Sequence, residues 1–126
     1  MITTVLYFCL VFYVAQCEVI DLGKAGHWTL TGGDKDSISV PGHVPGNVYT
    51  DLQQAGILSS GLYYRFNDVE YRWVSYSNWT YQLEFTLTKE QIQRSSVKID
   101  CHGLDTVASV YLNNVLAGTS DNMFTR

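Results

Sequence analysis

Between Trp79 and Thr88 the chain alternates without a break: Trp79, Tyr81, Leu83, Phe85 and Leu87 fall on one side, Thr80, Gln82, Glu84, Thr86 and Thr88 on the other. Successive side chains of an extended backbone point to opposite faces, so this period of two predicts a strand with one dry and one wet face. A single strand cannot bury its dry face alone, and the rest of the chain offers it partners. Val97, Ile99 and Cys101 alternate with Ser96, Lys98 and Asp100, which predicts a second strand over 96–102, ended by Gly103. Val107–Leu112 and Val115–Ala117 flank Asn113-Asn114, a pair whose side chains tolerate positive φ and which reads as a tight hairpin turn. Upstream, His27–Leu30 and Ser37–Val40 read as two shorter strands around the turn formers Thr31-Gly32-Gly33-Asp34.

Pro41-Gly42-His43-Val44-Pro45-Gly46 breaks any regular element. One short helical turn is expected after it, with Asn47 as cap, Val48 and Leu52 on one face and Gly56 closing it in the left-handed conformation. Tyr63–Trp73 reads as a long loop. Many short strands separated by Gly and Asn turns predict an all-β sandwich of jelly-roll type. After Ala117 the chain ends with Met123 and Phe124 apolar and no closing strand, so the sandwich is expected to be truncated at its C-terminal end.

Residues 1–17 stand apart from that fold. Ile2–Ala15 is uncharged and mostly apolar, too short for the ~20 residues of a bilayer span but matched to the apolar region of a secretory signal. Small residues Ala15 and Cys17 before Glu18 place the cleavage after Cys17, although no Lys or Arg follows Met1; a buried N-terminal strand is the competing reading. The expected organisation is therefore a signal peptide over 1–17 and one incomplete β-sandwich domain over 18–126. Cleavage would leave Cys101 alone, which rules out an internal disulfide framework and favours a packed strand thiol over a nucleophile.

Eight Lys and Arg against twelve carboxylates give a net charge of −4, and no basic run exists to track a phosphate backbone, so nucleic acid is not an expected partner. His27, His43 and His102 are scattered and form no metal-ligand pair. Nine aromatic residues crowd between Tyr63 and Phe85. They suit either a sugar-stacking surface or, the simpler account, a core in which Trp79, Tyr81 and Phe85 fill one strand face while Tyr63, Tyr64, Tyr71 and Trp73 anchor the loop. Arg65 and Arg72 among Asp68 and Glu70 form either an ion-pair network or a solvated loop. Glycoside cleavage needs two carboxylates flanking the bond, and neither Asp68 with Glu70 nor Glu84 meets that requirement by spacing. No nucleophile elbow or phosphate loop is present. Asn78-Trp79-Thr80 is an N-glycosylation acceptor triplet, a reasonable site on a secretory chain.

Taken together, Val40-Pro41-Gly42 with Val44-Pro45-Gly46, Tyr63–Asp68, Tyr71-Arg72-Trp73-Val74, Asn78–Tyr81, Gly103–Val107 and Asp121–Phe124 resemble, in order and spacing, the animal lysosomal β-mannosidases of glycoside hydrolase family 2. The β-galactosidases and β-glucuronidases belong to the same group. The resemblance implies a galactose-binding-like jelly roll at the start of a multidomain enzyme, followed by an immunoglobulin-like domain and a catalytic TIM barrel. Such an enzyme removes terminal non-reducing β-D-mannose from glycoprotein oligosaccharides with retention, in the lysosome after passage through the secretory route.

The two catalytic glutamates of that family lie on the barrel, so no catalytic residue is expected here and Glu18, Glu70, Glu84 and Glu90 take neither role. Asn122 is carried over as an edge of the substrate pocket, the competing reading being a turn at Asp121-Asn122 with Met123 and Phe124 packed beneath it. No cofactor or metal is expected, nor a membrane partner once the signal is removed; the implied partners are β-mannoside oligosaccharides and a downstream barrel on which the domain docks. The alternative is a free-standing secreted lectin-like module without catalysis, and a third reading is a structural interaction module.

Overall fold

The computed structural model describes residues 18–33, 37–59 and 61–125. The expected signal peptide over 1–17 lies outside these residues. The described residues divide into two compact units, one up to Thr86 and the other from Leu87 onward.

In the first unit, β1 (Trp28–Gly32) lies at the centre of a three-stranded sheet between β2 (Ile38–Gly42) and β3 (Trp79–Leu83). Both pairings are antiparallel, and the register sets Leu30 opposite Val40 on one side and Tyr81 on the other. One face of the sheet is therefore built from alternate residues of all three strands, as the period of two requires. Leu30 is fully buried there, and with Leu52, Leu58 and Val74 it forms a core packed by Ile38, Val40, Trp79 and Tyr81. Burying one such leucine contributes about 1.5–3 kcal/mol, so a core this small depends on each member.

The expected helical turn is α1 (Val48–Gln54). The Asn47 side chain accepts from the Thr50 N–H at 3.0 Å, and Gly56 takes φ +75° after the helix, a conformation that disfavours a side chain. The helix buries Leu52 in the core and packs against β2. The stretch expected as a long loop instead holds two four-residue helices, α2 (Asn67–Glu70) and α3 (Trp73–Tyr76). Val74 in α3 is buried, and Trp73 tilts against Trp79 with ring centroids 6.1 Å apart. The Trp79 indole N–H donates to the Val74 carbonyl at 2.8 Å, fastening α3 to β3.

Strand β3 stops at Leu83, short of the expected Thr88. Residues 84–88 have no strand assignment, and in the second unit a capping box at Thr88 and Gln91 starts the four-residue helix α4 (Lys89–Ile92). The expected strand over 96–102 is absent: the segment has the alternation of a strand but no laddered neighbour, and Val97 and Ile99 are exposed. The hairpin is present. Antiparallel β4 (Ala108–Leu112) and β5 (Val115–Ser120) close on Leu112 opposite Val115. Asn113 and Asn114 have φ of +49° and +64°, the two positive values that a type I′ turn demands. Val110 pairs with Gly118 and Tyr111 with Leu116, so Ala117 is the extra residue of a bulge. Among the described residues no helix is long and apolar enough to cross a membrane.

Candidate functional site

The most organised polar constellation of the first unit centres on Asp51. Helix α1 places this carboxylate beside Leu52 on its buried face, 1 % exposed. A charge in that position requires donors. His43, in the Pro-Gly loop after β2, supplies two: its Nδ1 lies 2.7 Å from Oδ1 and its backbone N–H donates to Oδ2 at 3.2 Å. The Tyr81 hydroxyl, on the inner face of β3, donates to Oδ2 at 2.7 Å. Burial, the hydrogen bond to Asp51 and the carboxylate's negative charge, in that order, push the Tyr81 phenol above its ordinary range. Both oxygens of Asp51 are thus engaged in joining helix, loop and sheet. The arrangement ties helix, loop and sheet of the first unit together.

A hollow of about 350 Å³ opens beside this cluster, lined by His27, Trp28, His43 and the loop up to Pro45. An acid in a short helix is ordinarily solvated, which hides the buried role of Asp51 from the residue pattern. The available signal was its place next to Leu52, on the helix face that must meet the sheet.

The residues singled out from the sequence fall in several places. Asn78 is exposed immediately before β3, and Thr80 of its triplet points to the open face. The Asn78 carbonyl accepts from the Gly33 N–H at 3.4 Å. Asp68 and Glu70 are exposed on α2, and Glu84 is exposed after β3. Glu90 is held below the usual carboxylate range by its own backbone N–H and then by the Thr88 hydroxyl. In the second unit Asn122 forms a turn: its Oδ1 accepts from the Phe124 N–H at 3.0 Å and its carbonyl accepts from the Thr125 N–H at 3.2 Å. Phe124 is exposed and does not pack beneath that turn. An open cleft of about 250 Å³ lies next to it, lined by Cys101, Leu104, Val110, Asp121 and Thr125 among others, with Asn122 itself outside the lining. Among the described residues no group of three or more His, Cys, Asp or Glu side chains could hold a metal ion.

The aromatic cluster divides. Tyr71, Trp73, Trp79 and Tyr81 pack against the core, in line with the core reading, but Phe85, expected on the same strand face, lies beyond the end of β3 and is exposed. Tyr63 and Tyr64 do not anchor the loop: they project outward, as do Phe66 and Tyr76.

Residues 28–126 match the family described as glycosyl hydrolase 2 galactose-binding domain-like. The chain belongs to that family. It is also 46 % identical to the β-mannosidase of Rattus norvegicus over 101 residues, which are 80 % of this chain and 11 % of that protein. Identity to the Mus musculus β-mannosidase is 41 % over 118 residues, 92 % of this chain and 13 % of the relative. For the Capra hircus β-mannosidase it is 39 % over 109 residues, 86 % and 12 %. The chain therefore spans between 11 and 13 % of the length of these relatives. Family membership establishes the galactose-binding-like domain that the resemblance implied, and with it the all-β class that the strand periodicity predicted. The matched region contains the sheet, the Asp51 cluster and the hairpin.

Proposed function

We propose that this chain is the galactose-binding-like domain of a β-mannosidase, an accessory to hydrolysis carried out elsewhere in the same enzyme. The substrate is a glycoprotein oligosaccharide ending in non-reducing β-D-mannose, cleaved with retention by two glutamates of a barrel outside residues 1–126. Retention needs two carboxyl groups about 5 Å apart across the glycosidic bond. The described residues offer instead a saturated buried carboxylate at Asp51 and exposed acids. The enzyme travels the secretory route to the lysosome after removal of residues 1–17, carries a glycan on Asn78, and uses the Asn122 turn as one edge of its sugar pocket. The observation that carries this reading is the 46 % identity to the rat enzyme over 101 residues.

The test is a chimera in which this chain's residues 28–126 replace the matching segment of the rat β-mannosidase. Hydrolysis of nitrophenyl β-D-mannoside at a rate within a few-fold of the parent supports the accessory role, and a folded but inactive chimera overturns it. Calorimetric titration of mannose into the isolated chain separates the lectin alternative. No binding is expected, and saturable millimolar or tighter affinity would favour a free-standing sugar-binding module.

A further inference from the structure

We infer that His27 and His43 form a two-imidazole site for a divalent transition-metal cation of the zinc class, an inference independent of the accessory-domain reading above. The two histidines are sixteen residues apart in the chain and read as scattered there. The fold brings them together. The β1–β2 ladder ends with Trp28 opposite Gly42, so His27 and His43 are the next residues beyond that pair, and both line the hollow of about 350 Å³.

His43 is oriented as a ligand would be. Its Nδ1 faces Asp51 Oδ1 at 2.7 Å, so Nδ1 carries the proton and Nε2 keeps the lone pair. A carboxylate that holds one nitrogen of an imidazole fixes the ring and strengthens the other nitrogen as a donor to a metal. Here that carboxylate is itself held, by the His43 backbone N–H and the Tyr81 hydroxyl, and it is buried, which shields the orienting bond from water. The His43 side chain is 56 % exposed, and His27 is exposed on the same hollow, so both rings are open to an ion from solvent.

The walls of the hollow are fixed before any ion arrives. The Trp28 indole N–H donates to the Leu22 carbonyl at 3.0 Å, and a Cβ added to Gly23 would lie 2.5 Å from the Val44 carbonyl oxygen, so the turn before β1 lies directly against the His43 loop. Lys24, the cation of that turn, is paired with Asp21 at 3.2 Å. Imidazole nitrogen suits zinc, copper and nickel, whereas magnesium and calcium take oxygen ligands. No third His, Cys, Asp or Glu completes a ligand set among the described residues, so water fills the remaining positions, and the hollow has room for several at about 30 Å³ each. An ion held in this way would clip the turn before β1 to the loop after β2.

Diethyl pyrocarbonate labels imidazole lone pairs, and peptide mass mapping reads each histidine separately in the protein as its natural source makes it. Zinc chloride is the probe and magnesium chloride the control. Zinc should slow labelling of His27 and His43 at least five-fold with a single shared midpoint, while His102, exposed and outside the hollow, keeps its rate. His27→Gln, at an exposed position, should abolish the zinc protection of His43 and leave its rate without zinc unchanged. Protection of one histidine only, protection of His43 that survives His27→Gln, or equal protection by magnesium or at His102 overturns the site. If His27→Gln does not fold, the zinc dependence of the unsubstituted protein decides, since two ligands of one ion are protected at one midpoint and separate sites at two.

Discussion

Among single residues, Asp51 carries the greatest consequence, because three donors from two other segments converge on a side chain that water does not reach. Tyr81→Phe removes one of those donors and leaves the carboxylate under-satisfied, so it is expected to lower stability by about 1–3 kcal/mol, measured by urea unfolding at pH 7. The same substitution reports on pH. The phenol of Tyr81 is raised in the folded state from its ordinary 10.0. Its contribution is therefore complete below about pH 10 and is lost as the pH climbs toward the folded value, since the unfolded chain then releases a proton that the folded chain retains. Melting temperature should fall less steeply above pH 10 in Tyr81→Phe than in the parent; parallel slopes would argue against the assignment. The pattern of residues gave Tyr81 an inward-facing position but not its hydroxyl's partner, because periodicity orders faces of one strand and says nothing of which helix acid will arrive there.

At the level of elements, turn chemistry is more legible in the residues than strand ends are. Asn113 and Asn114 have the positive φ values that their side chains tolerate, and Asn47 and Gly56 bracket α1. These signals are local and travel with the residue type. By contrast, 96–102 alternates as well as β3 begins, yet it lacks a partner, and a strand is a property of two segments. Helices α2 and α3 escaped because four residues cannot display a helical period; they are held by Tyr71, Trp73 and Val74 packing inward. The hairpin offers a direct check. Asn114→Gly relieves the left-handed cost at the second turn position and should stabilise the hairpin by about 0.5 kcal/mol, whereas Asn114→Val should cost about 1–2 kcal/mol. Amide chemical shifts of Leu112 and Val115 at rising temperature would rank the three.

For the molecule as a whole, the burial is unequal. Leu30, Asp51, Leu52, Leu58 and Val74 are buried in the first unit, while no described residue between 87 and 125 is. A two-stranded hairpin without a covered face is marginal in water. Amide exchange should therefore protect β1 at least a hundred-fold more than β4 in the isolated chain; equal protection would mean that unfolding is a single event. The pairing of β1 with β3 has one more outcome. Trp79 is laddered to Gly32, and a side chain at Gly32 would strike the Asn78 carbonyl, so the acceptor triplet is clamped once the sheet has zipped. Because Gly32 leaves the ribosome well before Asn78, the sugar transfer proposed for Asn78 would compete with sheet closure while the chain is still being made. Under the proposed glycosylation, slowing closure, as Gly32→Ala should, is expected to raise the fraction of chains whose mobility shifts on endoglycosidase treatment, so that the absence of one side chain would act as a timer for modification.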